Sequence, residues 1–197
     1  MTASSTPQPE QQGLSRLVRV GGSLAIALAI ILGAWFVSGH EGLNDLGKAG
    51  MNYSALPAVG SMAPDFAVPD ADGNMHTLSE YRGQPVWINF WGSWCPPCRA
   101  EMPDTQAAYE VLQSEGVVLL AISRREPVSE AANFAELNHA TFPILSDPIE
   151  TLTGQSYPLA NFPTHIFVNR DGTINRIVLS PLSEAQAVEY AQEIIKS

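Results

Sequence analysis

The sequence predicts an α/β domain built on a mixed β-sheet, and two observations carry that reading. Apolar runs and amphipathic stretches alternate as strand, helix, strand, helix, and the chain then closes with a β-hairpin and a final helix. The only two cysteines, Cys95 and Cys98, stand at the junction between a buried strand and the helix that follows it.

The folded part is expected to begin near Gly60 and to run from 60 to 197. Phe66-Ala67-Val68 and Met75-His76-Thr77-Leu78 flank the turn-forming Asp70-Ala71-Asp72-Gly73-Asn74, which predicts a hairpin. Residues 78–81 read as a short helical turn closed by Gly83, and the apolar run 86–91 as a buried strand. Pro96 and Pro97 open the next helix, where the N–H that proline lacks has no helical partner in any case. That helix should reach about Ser114, kinked at Pro103, before a second buried strand at 117–123. After Pro127, residues 128–138 predict a helix with Ala131, Phe134, Ala135 and Leu137 facing inward. Residues 142–145 read as a brief extended segment and 149–154 as a short helix. Strands at 164–169 and 173–179 are joined by Arg170-Asp171-Gly172, an Asp-Gly hairpin turn. A helix capped by Ser183 ends the chain, with Glu184 in its first turn and Lys196 in its last, matching the dipole.

The N-terminal third has a different composition. Residues 1–19 are rich in Ser, Thr, Pro and Gln and lack an apolar face, as expected of a disordered cytoplasmic tail. Residues 20–37 are 18 uncharged residues in a row, about 27 Å as a helix, close to the thickness of a hydrocarbon core. Arg16 and Arg19 precede the run, and Glu41 and Asp45 follow it, so positive charge keeps the N-terminus inside and the C-terminal part is exported. These features predict a single-pass anchor at 20–38, held by lipid, with the C-terminal domain periplasmic or otherwise extracytoplasmic. A cleavable signal peptide is the competing reading, but the run exceeds its usual apolar length. Residues 39–59 form the linker.

A formal net charge of −10 argues against a nucleic-acid partner, since phosphate binding needs a basic face. A Cys-x-x-Cys places two sulfurs on one turn, and the first sits where free amides and the helix dipole favour a thiolate. The chemistry this supports is thiol–disulfide exchange without a cofactor. Structural zinc would need two more ligands at short spacing, and His40, His76, His139 and His165 are scattered singly. Two thiolates could still hold copper(I), so a copper- or client-binding chaperone is the alternative.

The sequence resembles the membrane-anchored, extracytoplasmic TlpA/ResA-like disulfide reductases of the thioredoxin superfamily. The resemblance is carried by Gly60-x-x-Ala63-Pro64-Asp65-Phe66, Leu78-Ser79-x-Tyr81-x-Gly83, Val86-x-Ile88-Asn89-Phe90-Trp91, Trp94-Cys95-Pro96-Pro97-Cys98-Arg99-x-Glu101-Met102-Pro103 and Phe162-Pro163-Thr164. Gly92, where the family often has Ala, and Asn161, where it often has Gly, depart from the pattern. The resemblance implies a thioredoxin fold with an N-terminal β-hairpin extension and a central insertion, behind one transmembrane helix.

It also implies roles. Cys95 would be the nucleophile, at the exposed edge, and Cys98 the resolving thiol. Glu101 would be a partly buried carboxyl that raises thiol pKa by repulsion and carries a proton. Asn89 stands where thioredoxin has a buried acid. Pro163 would be cis, with Phe162 pairing the client as an added strand, and Trp94, Pro96 and Pro97 would complete the client site. The partners implied are proteins with cysteines to be kept reduced, as in cytochrome c or cytochrome oxidase maturation, and a membrane thiol electron donor. A dithiol oxidase is the remaining alternative.

Overall fold

This computed structural model describes residues 56–197. The tail at 1–19, the anchor at 20–38 and most of the linker at 39–59 lie outside the described residues, among which no helix is long and apolar enough to cross a membrane.

The element order is β1 (Ala67–Pro69), β2 (Met75–Thr77), β3 (Val86–Trp91), α1 (Pro96–Leu112), β4 (Val118–Arg124), α2 (Val128–Leu137), β5 (Ile144–Asp147), β6 (Thr164–Val168), β7 (Ile174–Val178) and α3 (Glu184–Ile195). The large sheet runs β5-β4-β3-β6-β7. Parallel pairing joins β3 to β4 and β4 to β5, whereas β6 pairs antiparallel with β3 and β7. The sheet is therefore mixed, as the element order predicts.

Strand β3 is central and every one of its residues is buried. Its side chains alternate between two apolar clusters, one on each face. Trp87 and Trp91 join Leu112, Phe167, Ala187 and Ile194 on the side of the helices. Ile88 and Phe90 join Phe66, Val68, Leu145 and Tyr157 on the other side, where the β1–β2 hairpin packs. The β3-α1-β4 and β4-α2-β5 crossovers advance in one direction across the sheet. Crossovers of one hand then put both helices on one face, and their apolar residues do share one cluster.

Three local expectations change. Residues 149–154 form turns and bends rather than a helix, because Asp147 accepts from Leu152 N, Thr153 N and Thr153 Oγ1 and so folds the segment back onto the end of β5. Leu137 is 71% exposed, so the inward face of α2 consists of buried Ala131 and Ala135, with Phe134 packed partly against them. Lys196 is the C-cap of α3, one residue beyond its last turn. Pro103 lies inside α1 without ending it.

The β1–β2 turn is held by Asp70, which accepts from the Asp72 and Asn74 amides, bonds the Asn74 side chain and faces His76 Nε2 at 3.1 Å. The Asn74 side chain and then His76 hold its carboxyl well below the usual range, against a smaller opposing effect of desolvation. A carboxylate depressed by folding contributes stability above its unfolded value, and that stability is lost only as pH falls through the folded value. The turn is therefore expected to persist in acid after ordinary carboxylates have protonated. A carboxyl-detected NMR titration checks this, and a midpoint for Asp70 at the ordinary 3.8 would contradict it.

Candidate active site

Strand β3 ends at Trp91, and Gly92-Ser93-Trp94 leads to Cys95, the N-cap of α1. Cys95 has extended backbone (φ −92°, ψ 111°), and its Sγ accepts from Cys98 N at 3.3 Å. Prolines at the first two helical positions fix the turn without wasting a donor. The two cysteines form a disulfide with Cα atoms 5.3 Å apart.

Cys95 is only 3% exposed and Cys98 1%, so the first sulfur is less open than the resemblance implies. Its access is through an open groove of about 500 Å³ lined by Trp94, Cys95, Pro96, Pro97, Arg125, Ala160, Asn161, Phe162 and Leu179. Cys98 does not line that groove. Trp94 meets Phe162 edge to face across it, with ring centroids 5.3 Å apart. The Phe162–Pro163 peptide is cis, and Pro163 itself is buried behind Phe162. Of the predicted client-site residues, all except Pro163 therefore face the groove.

The end of β4 clamps the cysteine loop. Buried Glu126 accepts from Ser93 N at 2.8 Å, from Ser93 Oγ, and from Ser123 Oγ at 2.5 Å. Trp94 Nε1 donates to Arg124 O at 2.8 Å. A Cβ at Gly92 would collide with the Trp94 indole, which accounts for glycine at this departure from the family pattern. Arg124 is fully buried beneath Phe90 and Phe162 and bonds Tyr157 O. Burial pushes its guanidinium down, against the opposing pull of Glu150 and Asp147. Arg125, at φ 62°, extends into the groove beside Phe162 and is paired with Glu150 at 3.0 Å.

Glu101 lies one turn past Cys98 and is 3% exposed, with Oε2 accepting from Leu182 N at 3.1 Å. Oε2 also lies 3.3 Å from Nε2 of His165, a wholly buried residue of β6. Nδ1 of His165 accepts from Trp87 Nε1 at 3.2 Å. Asn89 faces His165 in strand register, and its Oδ1 has no hydrogen-bond partner among the described residues.

Sequence reasoning missed Glu126, Arg124, Arg125 and His165. An acid or arginine after a strand reads as solvated surface, and nothing in the spacing says otherwise. His165 did leave a signal: it shares a strand face with Phe167, two residues on, which is an inward position.

A disulfide pair thus stands at a helix start, with a groove beside it and a buried acid one turn below. Residues 59–177 match the AhpC/TSA family. The chain is 36% identical over 137 residues to the thiol-disulfide oxidoreductase ResA of Geobacillus thermodenitrificans, covering 70% of this chain and 78% of that one. It is 30% identical over 131 residues to ResA of Bacillus subtilis, covering 66% and 73%. Among solved structures it resembles StoA from Bacillus subtilis, with TM-score 0.56 and 28% identity over 68% of this chain and 98% of that one. It also resembles a secreted thiol-disulfide isomerase from Corynebacterium glutamicum, with TM-score 0.63 and 26% identity over 68% and 86%. The chain belongs to the AhpC/TSA family of thioredoxin-fold proteins and is a ResA-like thiol-disulfide oxidoreductase.

Proposed function

We propose that this oxidoreductase is a membrane-tethered, extracytoplasmic reductase of protein disulfides. The observation that carries the reading is the Cys95–Cys98 pair at the head of α1, open to a groove through Cys95 alone, with the Glu101 carboxyl buried one turn below.

In this reading the reduced pair meets a client disulfide in the groove, where Trp94, Pro96, Pro97 and Phe162 supply the contacts and Pro163 sets the backbone that carries Phe162. The Cys95 thiolate attacks one client sulfur, giving a Cys95–client mixed disulfide and one client thiolate. Cys98 then loses its proton to Glu101 and attacks Cys95 Sγ, releasing the second client sulfur as thiolate and closing the Cys95–Cys98 bridge. Two electrons pass from the dithiol to the client. Glu101 disfavours a persistent thiolate, which weakens the strongly oxidising behaviour that low-pKa cysteines give.

The apolar run at 20–37 supplies the anchor, with the N-terminus inside. Clients whose cysteines must stay reduced outside the cytoplasm, such as haem-attachment or copper-site thiols in cytochrome maturation, fit this placement, and a membrane thiol carrier would regenerate the dithiol. Reduced protein mixed with insulin is expected to release insulin thiols in proportion to the Cys95–Cys98 bridges formed. Tight copper(I) binding without turnover would contradict the reading and favour the chaperone.

A further inference from the structure

We propose that His165 is a positioning residue that directs the proton of the resolving step onto Glu101. The inference rests on the reading of Glu101 as the proton acceptor for Cys98. His165 has no access to solvent and does not line the client groove, so it acts through Glu101 alone.

An indole N–H only donates, so the 3.2 Å bond from Trp87 Nε1 makes His165 Nδ1 an acceptor and leaves the ring proton on Nε2. That N–H lies 3.3 Å from Glu101 Oε2, off the axis of a full hydrogen bond in this disulfide form. A second proton on the ring would have to enter at Nδ1, facing the Trp87 donor. A proton reaching this buried pair is therefore steered to the carboxylate, whose Oε1 has no partner among the described residues. The neighbouring groups do not compete. Strand β3 contributes Trp87 and Asn89, β7 contributes Val178, and the segment before α3 contributes the Leu182 amide, none of which titrates. On α1 the buried titratable groups are Glu101 and, in the reduced form, Cys98, whereas Arg99, Asp104 and Glu110 are exposed and Tyr109 is half-buried.

In the step itself, Cys98 S–H transfers its proton to the Glu101 carboxylate while its sulfur electron pair forms the bond to Cys95 Sγ. The Cys95–client bond breaks, and the client leaves as thiolate. The Nε2–H of His165 faces the carboxylate before transfer and holds Oε2, so that the acceptor stands ready when Cys98 gives up its proton.

The test follows ring closure in the full chain, using the mixed disulfide of Cys95 with thionitrobenzoate, whose release is coloured. Closure in the wild type is followed from acid to neutral pH, and its acid limb is the reference. His165→Leu is expected to move that limb to higher pH by about one unit, tenfold in proton affinity. His165→Gln offers both an acceptor for Trp87 and a donor for Glu101, and should restore the limb. Glu101→Gln should slow closure roughly 100-fold, and adding His165→Leu to it should move nothing further. If Glu101→Gln leaves closure unchanged, the reading of Glu101 fails. If Glu101→Gln slows closure but His165→Leu leaves the limb in place, or shifts it equally in both backgrounds, the role of His165 alone is overturned. Nitrogen NMR of the unaltered protein tests the same point without a core substitution. His165 should carry its ring proton on Nε2, and a neutral ring protonated on Nδ1 instead contradicts the inference.

Discussion

Cys95→Ser is expected to lower the rate of insulin disulfide reduction by at least roughly three orders of magnitude, to the level of uncatalysed exchange. Of the two cysteines in the sequence, Cys95 alone lines the groove, so among the described residues no other thiol reaches a client disulfide there. Cys98→Ser should behave differently. Attack by Cys95 remains possible, but with no second thiol the reaction stops at the mixed disulfide, which non-reducing gels would show as a covalent adduct. The two variants together separate attack from resolution. Equal activity in Cys95→Ser and the wild type would remove the basis of the assignment.

Glu126→Ala carries the second large effect, this time on stability. The substitution leaves the Ser93 amide and two hydroxyls without their acceptor, and Ser123 is wholly buried. Donors stripped of a buried charged acceptor cost about 3 kcal/mol together, or roughly 9 °C in Tm for a domain of this size. Calorimetry of the variant reads this directly. Glu126→Gln retains one carbonyl acceptor and should lose less than half as much. Because Ser93 stands two residues before Cys95, faster amide exchange at Ser93 should accompany the loss of stability. A Tm unchanged in Glu126→Ala would mean that the β4 clamp does not hold the cysteine loop.

The parts of this fold that were legible in the sequence are those where local pattern and burial agree. Val86–Trp91 is apolar at nearly every position because both of its faces are covered, and the strand lies where the pattern puts it. The Asp-Gly turn at Asp171-Gly172 is equally direct, with Gly172 at φ 89°. The stretch at 149–154 was not legible. Its apolar residues suggest a helix, but a buried carboxylate at Asp147 takes the amides that a helix would use internally.

The site divides along the same line. The cysteines, Glu101, Trp94 and Phe162 belong to a motif whose spacing is local or whose resemblance is specific. Glu126, Arg124 and His165 act only because β4 and β6 flank β3 in space, and no single-chain pattern reports which loops meet across a sheet. Gly92 is instructive: as a departure from the family it has no reading in sequence, yet the indole of Trp94 occupies the space a Cβ would need.

The equilibrium reduction potential of the Cys95–Cys98 couple, measured in a glutathione buffer, separates a reductase from an oxidase. For this two-electron couple, about 30 mV corresponds to roughly 1.4 kcal/mol, so the poise decides the direction of exchange. A reductase requires a potential in the range of thioredoxin and the glutaredoxins, roughly −200 to −270 mV. A potential near −120 mV, the poise of a strong oxidant, would make the chain a dithiol oxidase and not a reductase.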